Sequence, residues 1–192
     1  PFALEEKQEN ISISTNTPSK PSQEQLINKA RKLQKQGNIK EATNYYQQLI
    51  NEGCNDHRVF SNYGVLMSNI GKSKEAELLY HKAIEIKPDY AEVHSNLGNL
   101  FRDLGKLQDA ELLYRKAIEI KPDYAMTHNN LGNILKDFGK LQDAELSYRK
   151  AIGIKPDFAM AHSNLGNILK DFGKLQDAFD SYLKVIEINP KF

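Results

Sequence analysis

The sequence has little cysteine, no long apolar run and almost no net charge. Its single cysteine, Cys54, has no second cysteine for an intrachain disulfide, which is typical of a reducing compartment and predicts a cytoplasmic protein. Its apolar runs extend over only a few residues, far short of the roughly 20 that a transmembrane helix needs. The N-terminus lacks the basic-then-apolar pattern of a secretion signal. A formal net charge of +1 selects neither nucleic acid nor an anionic membrane, so we expect neither as a partner.

The arrangements that carry catalysis or hold a cofactor are also missing from the sequence. It has no Gly-rich phosphate loop, no Cys and His residues at metal spacing, and no serine in a nucleophile elbow. His94, His128 and His162 recur regularly, but neighbouring helices lie about 8–10 Å apart whereas a metal–nitrogen bond is about 2 Å. We therefore expect these histidines to pack rather than bind metal. The sequence predicts no enzymatic activity and no cofactor.

What the sequence does contain is a repeat with a period of 34 residues. The stretch His94-Ser95-Asn96-Leu97-Gly98-Asn99 returns in similar form at residues 128–133 and again at 162–167. Five units follow one another without insertion, at residues 23–56, 57–90, 91–124, 125–158 and 159–192. Such a period predicts a stacked array in which no unit buries its apolar face alone. Residues 1–22, rich in Ser, Thr, Asn and Pro, are predicted to be a flexible segment or linker.

The third unit shows the predicted anatomy of each repeat. Spacings of three and four residues place one apolar set on a single helical face: His94, Leu97, Gly98, Phe101 and Leu104. A second helix is predicted to bury Ala110, Leu113, Tyr114, Ala117 and Ile118. Small residues at Gly98 and Ala110 are expected to let the two helices approach closely.

Three residues of the same unit are expected to define where its helices begin and end. Gly105 is expected to end the first helix in a left-handed conformation. Pro122 is expected to end the second helix, because proline cannot continue the hydrogen-bond ladder. Asp123 is then expected to cap the first helix of the next unit.

The Leu-Gly pair, the alanines, the tyrosine and the closing proline resemble the tetratricopeptide repeat. The resemblance covers residues 23–192 and implies an all-α fold, a right-handed superhelical α-solenoid of five helix-turn-helix repeats. It also implies a concave face lined by the first helix of each unit, and a role as a protein-binding scaffold. The chain departs from the family by having histidine at positions 94, 128 and 162, where the family prefers tryptophan or another large aromatic residue.

The two ends of the array differ from its middle. In the first unit Lys29 and Ala30 stand where later units have Leu and Gly, which is typical of a polar terminal cap. The fifth unit has no such cap, so we expect Tyr182, Val185 and Ile186 to lie against nothing. We therefore expect either that the natural protein continues, or that this end pairs with another copy of the chain.

Asparagines form the main candidate site. Each unit has asparagine at its sixth residue, and the last three units add another one helical turn later. At about 100° per residue these amides point nearly opposite to the leucines, so they line the open groove if the leucines face inward. The predicted peptide-binding asparagines are Asn28, Asn62, Asn96, Asn130, Asn164, Asn99, Asn133 and Asn167.

A carboxamide offers one acceptor and two donors, which match the N–H and C=O of a peptide unit. A row of carboxamides can therefore hold an extended peptide by its backbone, with little selectivity for side chains. The row at the sixth residue resembles the repeat array of O-linked N-acetylglucosamine transferases, in which such a ladder binds the substrate backbone. The alternative is that these amides bond to neighbouring helices and keep the array soluble.

Acidic residues follow the asparagines toward the end of each first helix in the last three units. The predicted acidic contacts are Asp103, Asp137 and Asp171. Each has a basic residue directly before it, namely Arg102, Lys136 and Lys170. These carboxylates favour a polar or basic ligand. The alternative is a solvated charged edge.

Some family members clamp a C-terminal carboxylate with basic residues on the concave face. In this chain Ser95, Asn96 and Asn130 occupy the corresponding places, and none of them is cationic. We therefore expect no carboxylate clamp.

Three functions remain open at this point. The first is a scaffold that binds a protein or an extended peptide in the asparagine-lined groove. The second is the non-catalytic arm of a larger enzyme of transferase type, which presents substrate to another domain. The third is self-association, in which exposed ends stack into a continuous superhelix.

Overall fold

The structure is a computed structural model that describes residues 21–190; the predicted linker at residues 1–22 lies almost entirely outside this range. All regular secondary structure within the described range is helical. Ten α-helices follow one another: α1 (Gln23–Lys35), α2 (Ile39–Asn51), α3 (His57–Asn69), α4 (Ser73–Ile86), α5 (Ala91–Asp103), α6 (Leu107–Ile120), α7 (Ala125–Asp137), α8 (Leu141–Ile154), α9 (Ala159–Asp171) and α10 (Leu175–Ile188).

The ten helices form five hairpins that stack in chain order. Within each hairpin the two helices pack along their length, and the second helix of a hairpin packs against the first helix of the next. This arrangement follows from the sequence because each helix concentrates its apolar residues on one side. The stacked array predicted from the 34-residue period and the all-α solenoid implied by the family resemblance are both confirmed.

The turn inside each hairpin depends on a glycine. Gly105 has a φ of +74°, a conformation that residues with a Cβ atom adopt only with strain. This conformation lets the N–H of Gly105 donate to the carbonyl of Arg102 at 2.9 Å and the N–H of Lys106 donate to the carbonyl of Phe101 at 2.8 Å. These bonds satisfy the last carbonyls of α5, as predicted for Gly105.

Two details of the predicted repeat unit are wrong. Asp123 does not cap α7, because Tyr124 occupies the cap position and no side chain accepts a hydrogen bond there. Leu104 does not share the buried face of α5; it follows the last helical residue, where the chain turns away, and it is 44% exposed. Within residues 21–190, side-chain caps are made only by Ser22 at α1 and Asp56 at α3.

Tyrosines and glycines in register hold the two helices of a hairpin together. Gly98 lies against the ring of Tyr114, and a Cβ atom at Gly98 would come within 2.7 Å of the ring carbon Cε1. The close approach predicted for Gly98 is therefore made to Tyr114. Ala110, predicted to share that role, is fully buried in the same core. The first four hairpins each bury the tyrosine at this position almost completely, although the first repeat has Ala30 in place of the glycine: Tyr46, Tyr80, Tyr114 and Tyr148.

The last hairpin is partly uncovered. Ile186 is 54% exposed, as predicted for a repeat without a following partner, whereas Val185 is half-buried. Tyr182 is not left without contacts, because its ring lies on Gly166 and its hydroxyl donates to Asn167 Oδ1 at 2.8 Å. None of the helices in the described range is long and apolar enough to cross a membrane.

Candidate functional site

The odd-numbered helices form one continuous face of the stack. Each of them contacts the odd-numbered helix of the next hairpin, from α1 to α9. In the described residues, no comparable backbone approach within 8 Å between Cα atoms joins one even-numbered helix to another. The stack is therefore tighter on the odd-numbered side, and we call that side the inner face. All the predicted site residues lie on these helices.

Asn62 and Asn96 have free amides. Both residues are half-buried, and neither side chain makes a hydrogen bond within residues 21–190. Asn62 lies at the edge of a cleft of about 300 Å³ between α1 and α3. All the residues that line this cleft are polar: Arg31, Gln34, Lys35, Asn62 and Asn69. Asn96 occupies the equivalent place on α5, one repeat later.

Other asparagines of the set are bonded to one another and to tyrosines. Asn99 Oδ1 accepts from the hydroxyl of Tyr114 at 2.8 Å and from Asn130 Nδ2 at 2.9 Å. Asn130 is 7% exposed, so its amide is enclosed between hairpins. The result is a polar link from α6 through α5 to α7. Burial raises the pKa of Tyr114 to about 12, so its hydroxyl keeps its proton and donates even at pH 10, the ordinary pKa of tyrosine.

The same network recurs one repeat later. Asn133 Oδ1 accepts from the hydroxyl of Tyr148 at 2.8 Å and from Asn164 Nδ2 at 3.1 Å. Asn164 Nδ2 also donates to Asn129 Oδ1 at 3.0 Å. In the last hairpin the exposed Asn167 accepts from the hydroxyl of Tyr182. Bonds of this kind, between amides and neighbouring helices, are those that the alternative interpretation of the sequence expects.

Whether one of these amides is bonded or free depends on a single side chain in the preceding repeat. Asn130 reaches Asn99, which lies 31 residues before it in the chain. The residue 31 positions before Asn96 is Val65, and the residue 31 positions before Asn62 is Arg31. Neither valine nor arginine has a side-chain acceptor for an amide N–H. The amides of Asn62 and Asn96 are therefore left free.

Asn28 belongs to neither group. It lies on α1 at the polar end of the stack, and its Nδ2 donates to Glu24 Oε1 at 3.2 Å. The guanidinium of Arg58 donates to Glu24 at 2.7 Å and to Asp56 at 2.7 Å. This link between α1 and α3 was not predicted. The signal in the sequence is an arginine, Arg58, two residues after the capping residue Asp56.

The acidic residues are exposed near the ends of the odd-numbered helices. Asp103 is bound by the guanidinium of its neighbour Arg102 at 2.7 Å. Asp137 and Asp171 form no ion pair within residues 21–190. At the opposite end of the inner face, Arg31 and Lys35 also form no ion pair within that range. The inner-face helices therefore have free cations near the first repeat and free carboxylates near the last two, where Lys136 and Lys170 directly precede the carboxylates and also form no ion pair in the described range.

The histidines have a packing role. Nε2 of His94 lies 2.8 Å from the carbonyl oxygen of Pro88, which fixes α5 to the turn before it. The same contact recurs in the next two repeats, from His128 to Pro122 and from His162 to Pro156. Within the described range, no three His, Cys, Asp or Glu residues come together in a way that could hold a metal ion.

A larger cavity, of about 560 Å³, lies away from the asparagines among α8, α9 and α10. Gly153 lines it at a position where α6 has Glu119, so a side chain present in the earlier repeat is missing here. Its remaining lining mixes aliphatic residues with charged ones, such as Arg149, Asp177 and Lys184. No row of amides faces this cavity, and we therefore place the candidate site on the inner face.

Solved structures confirm the fold. PilF of Pseudomonas aeruginosa is 15% identical over 87% of this chain and 76% of its own, with a TM-score of 0.82. MamA of Desulfovibrio magneticus is 18% identical over 88% of this chain and 95% of its own, with a TM-score of 0.74. YrrB, a TPR protein with an unusual peptide-binding site, is 19% identical over 88% of each chain, with a TM-score of 0.67. None of the curated proteins matches the sequence.

Family models match most of the array. A TPR repeat model matches residues 69–101, 98–139 and 132–173, and a tetratricopeptide repeat model matches residues 159–192. Together these matches run without a gap from the end of α3 to the last hairpin, which is more than half of the sequence. The chain belongs to the tetratricopeptide repeat family.

Proposed function

We propose that the chain is a scaffold that binds an extended peptide segment of a partner protein on its inner face. The observation that carries this proposal is the pair of free amides: Asn62 at the polar cleft between α1 and α3, and Asn96 one repeat later. Tetratricopeptide repeats support a scaffold role in general, and the similarity to YrrB, which has a peptide-binding site, is consistent with it.

The chemistry of the amides favours a backbone ligand. Asn62 and Asn96 occupy equivalent places on successive repeats, so each can donate to a carbonyl and accept from an N–H of the same extended segment. The other predicted amides contribute less, because their acceptors or donors are already used inside the array. In this proposal Asn28, Asn130 and Asn164 support the binding face rather than contact the ligand.

Charged residues of the inner face favour one orientation of the proposed peptide ligand. Arg31 and Lys35 border the cleft between α1 and α3, whereas Asp137 and Asp171 lie toward the other end of the inner face. A segment with an acidic group over α1 and a basic group toward α7 and α9 would match this distribution. The proposal includes no catalytic step. A reducing compartment such as the cytoplasm suits the buried free thiol of Cys54.

Binding to a peptide array tests the proposal. We expect the chain to capture peptides that are acidic at one end and basic at the other. The variant with Asn62→Ala and Asn96→Ala should bind the tightest of them about ten-fold more weakly, since two hydrogen bonds are lost. The matched control replaces two exposed amides on α2, Asn44→Ala and Asn51→Ala, and should bind as the wild type does. Equal loss in both variants, or no loss in either, would contradict the proposal.

A further inference from the structure

The cavity among α8, α9 and α10 has a buried aliphatic floor. Leu165 and Leu169 of α9 are 5% and 1% exposed, and the half-buried Ile152 of α8 lies beside them. Residues of α8 line one side of the cavity and residues of α10 line the other. Its volume of about 560 Å³ is that of a site which can enclose a whole side chain. We call it the α8–α10 cavity.

Two small residues leave this cavity open. Gly153 lies in α8, at the position where α6 and α10 both have glutamate. Neither a positive φ nor a close contact requires glycine there, because nothing lies within 4 Å of an added Cβ atom. Ser181 of α10 stands where α6 has Leu113, and its hydroxyl donates to the backbone carbonyl of Asp177 at 2.9 Å. Both residues therefore supply space rather than contacts for a ligand.

Stacking of one hairpin on the next does not cover this side of an even-numbered helix. The residues with which α10 lines the cavity are Asp177, Asp180, Ser181 and Lys184. Another hairpin does stack on α8, and yet the equivalent residues of α8 remain exposed or half-buried: Asp143, Leu146, Ser147 and Lys150. The cavity is thus a feature of the fourth and fifth hairpins themselves.

The cavity presents hydrogen-bond acceptors that have no cationic partner. Asp177 makes no side-chain contact of this kind within residues 21–190, and Asp180 accepts only from the amide of Gln176 at 3.0 Å. His162 is 8% exposed, and its Nε2 donates to a backbone carbonyl, which leaves Nδ1 as an acceptor. In the described range Nδ1 of His162 has no partner, and unlike Nδ1 of His94 it is not completely enclosed.

The two cations that line the cavity are already paired. Arg149 forms an ion pair with Glu145 at 2.8 Å, and Lys184 forms one with Glu187. Neither of these glutamates lines the cavity. Since their charges offset those of the two cations, the carboxylates on the α10 side leave the cavity with an unbalanced negative charge. A ligand that complements it has an apolar body and a positively charged donor.

We propose that the α8–α10 cavity binds an arginine side chain of a partner protein. Arginine has an aliphatic stem that fits the floor of Leu165 and Leu169, and its guanidinium has five N–H donors for the acceptors at the rim. The guanidinium is also more weakly hydrated than the ammonium group of lysine, which favours arginine in a partly enclosed site. The cavity is separate from the amides of Asn62 and Asn96, so a partner can occupy it while a peptide lies on the inner face.

A titration with N-acetyl-arginine amide, followed by NMR of the whole chain, tests the proposal. The backbone N–H of Gly153 and the ring of His162 should shift, with a dissociation constant on the order of 1 mM for so small a ligand. N-acetyl-citrulline amide has nearly the same shape without the charge, and it should bind about ten-fold more weakly. Equal binding of the two compounds would overturn the proposal, because recognition would then not depend on a cation.

Removal of the two carboxylates tests the assigned contacts. The variant with Asp177→Asn and Asp180→Asn should bind N-acetyl-arginine amide about ten-fold more weakly than the wild type, since both charge-assisted contacts are lost. The matched control, Asp109→Asn with Asp123→Asn, removes the same charge from two exposed residues outside the cavity and should bind as the wild type does. Unchanged affinity in the first variant, or an equal loss in both, would overturn the proposal.

A third variant separates this site from the inner face. Asn62→Ala with Asn96→Ala should leave the affinity for N-acetyl-arginine amide unchanged, because neither amide lines the cavity. A loss of binding in this variant would place the arginine on the inner face and would also overturn the proposal. The NMR spectrum of each variant shows in addition whether it remains folded.

Discussion

At the scale of single residues, the same asparagine position differs between repeats of one molecule. Asn96 and Asn130 occupy equivalent places in successive repeats. Asn96 has a free amide, whereas Asn130 is enclosed and bonded to Asn99. The difference arises from the preceding repeat, which supplies valine in the first case and asparagine in the second. We therefore expect an amide to bind a ligand here only when its neighbour leaves it unpaired.

This difference predicts unequal effects of alanine substitution on stability. Asn99→Ala should lower the free energy of unfolding by about 1–3 kcal/mol, because the Tyr114 hydroxyl and the enclosed Asn130 amide both lose their acceptor. Asn96→Ala should change it by less than about 0.5 kcal/mol. Urea unfolding followed by circular dichroism measures both values. Similar losses in the two variants would show that Asn96 also supports the fold.

Alanine substitutions at two helical glycines are expected to change stability in opposite directions. Gly98→Ala should destabilise the chain by about 1–3 kcal/mol, because the added methyl group would come within 2.7 Å of the Tyr114 ring. Gly153→Ala should instead stabilise it by about 0.5–1 kcal/mol, since Gly153 is helical and nothing lies within 4 Å of the added Cβ. Thermal unfolding of the two variants checks the signs, and a stabilised Gly98→Ala would contradict the packing described for Tyr114.

At the scale of elements, the start of α3 is held by a small charge network. Asp56 caps the helix by accepting from the N–H of Arg58 at 2.8 Å, and its carboxylate also accepts from the Arg58 guanidinium. The guanidinium bonds are the main cause that lowers the pKa of Asp56. Burial lowers the pKa of the adjacent His57, even though the carboxylate of Asp56 lies 3.7 Å away. Both groups therefore bind protons less readily in the folded chain than in the unfolded chain.

The sign of the resulting pH dependence follows from these two shifts. Where the unfolded chain binds more protons, stability falls as pH falls. The loss should begin below pH 6.5, the ordinary pKa for His57, and continue below pH 3.8, the ordinary pKa for Asp56. Asp56→Ser keeps a capping oxygen without a titrating group. Its midpoint of thermal unfolding should depend less on pH in the lower range than that of the wild type, and equal slopes would contradict the assignment to Asp56.

Most of the helices could be predicted from the sequence because their signals are local. Helix periodicity, the turn glycines and the closing prolines each act within a few residues, and the ten helices of the described range agree with them. The predicted capping role of Asp123 is wrong because a difference of one residue in the turn places Tyr124, and not Asp123, at the cap position. The Asn99–Tyr114 bond was not predicted because it joins residues 15 apart whose alignment depends on how two helices cross.

At the scale of the whole molecule, the repeat period predicted the stacked array. It did not predict which asparagines of the inner face are bonded and which are free. The third to fifth repeats are similar in sequence, yet among the sixth-residue asparagines of the described chain only Asn62 and Asn96 are free of hydrogen bonds. Such differences depend on contacts between repeats, which a single unit does not reveal.

The most direct measurement is an NMR titration of the side-chain amides with the tightest peptide from the array. The Nδ2 resonances of Asn62 and Asn96 should shift on binding, whereas those of Asn130 and Asn164 should stay nearly constant because they are held inside the array. Saturation at one peptide per chain would support a single groove on each copy. Shifts confined to Asn44 and Asn51 on α2, with Asn62 and Asn96 unchanged, would contradict binding on the inner face.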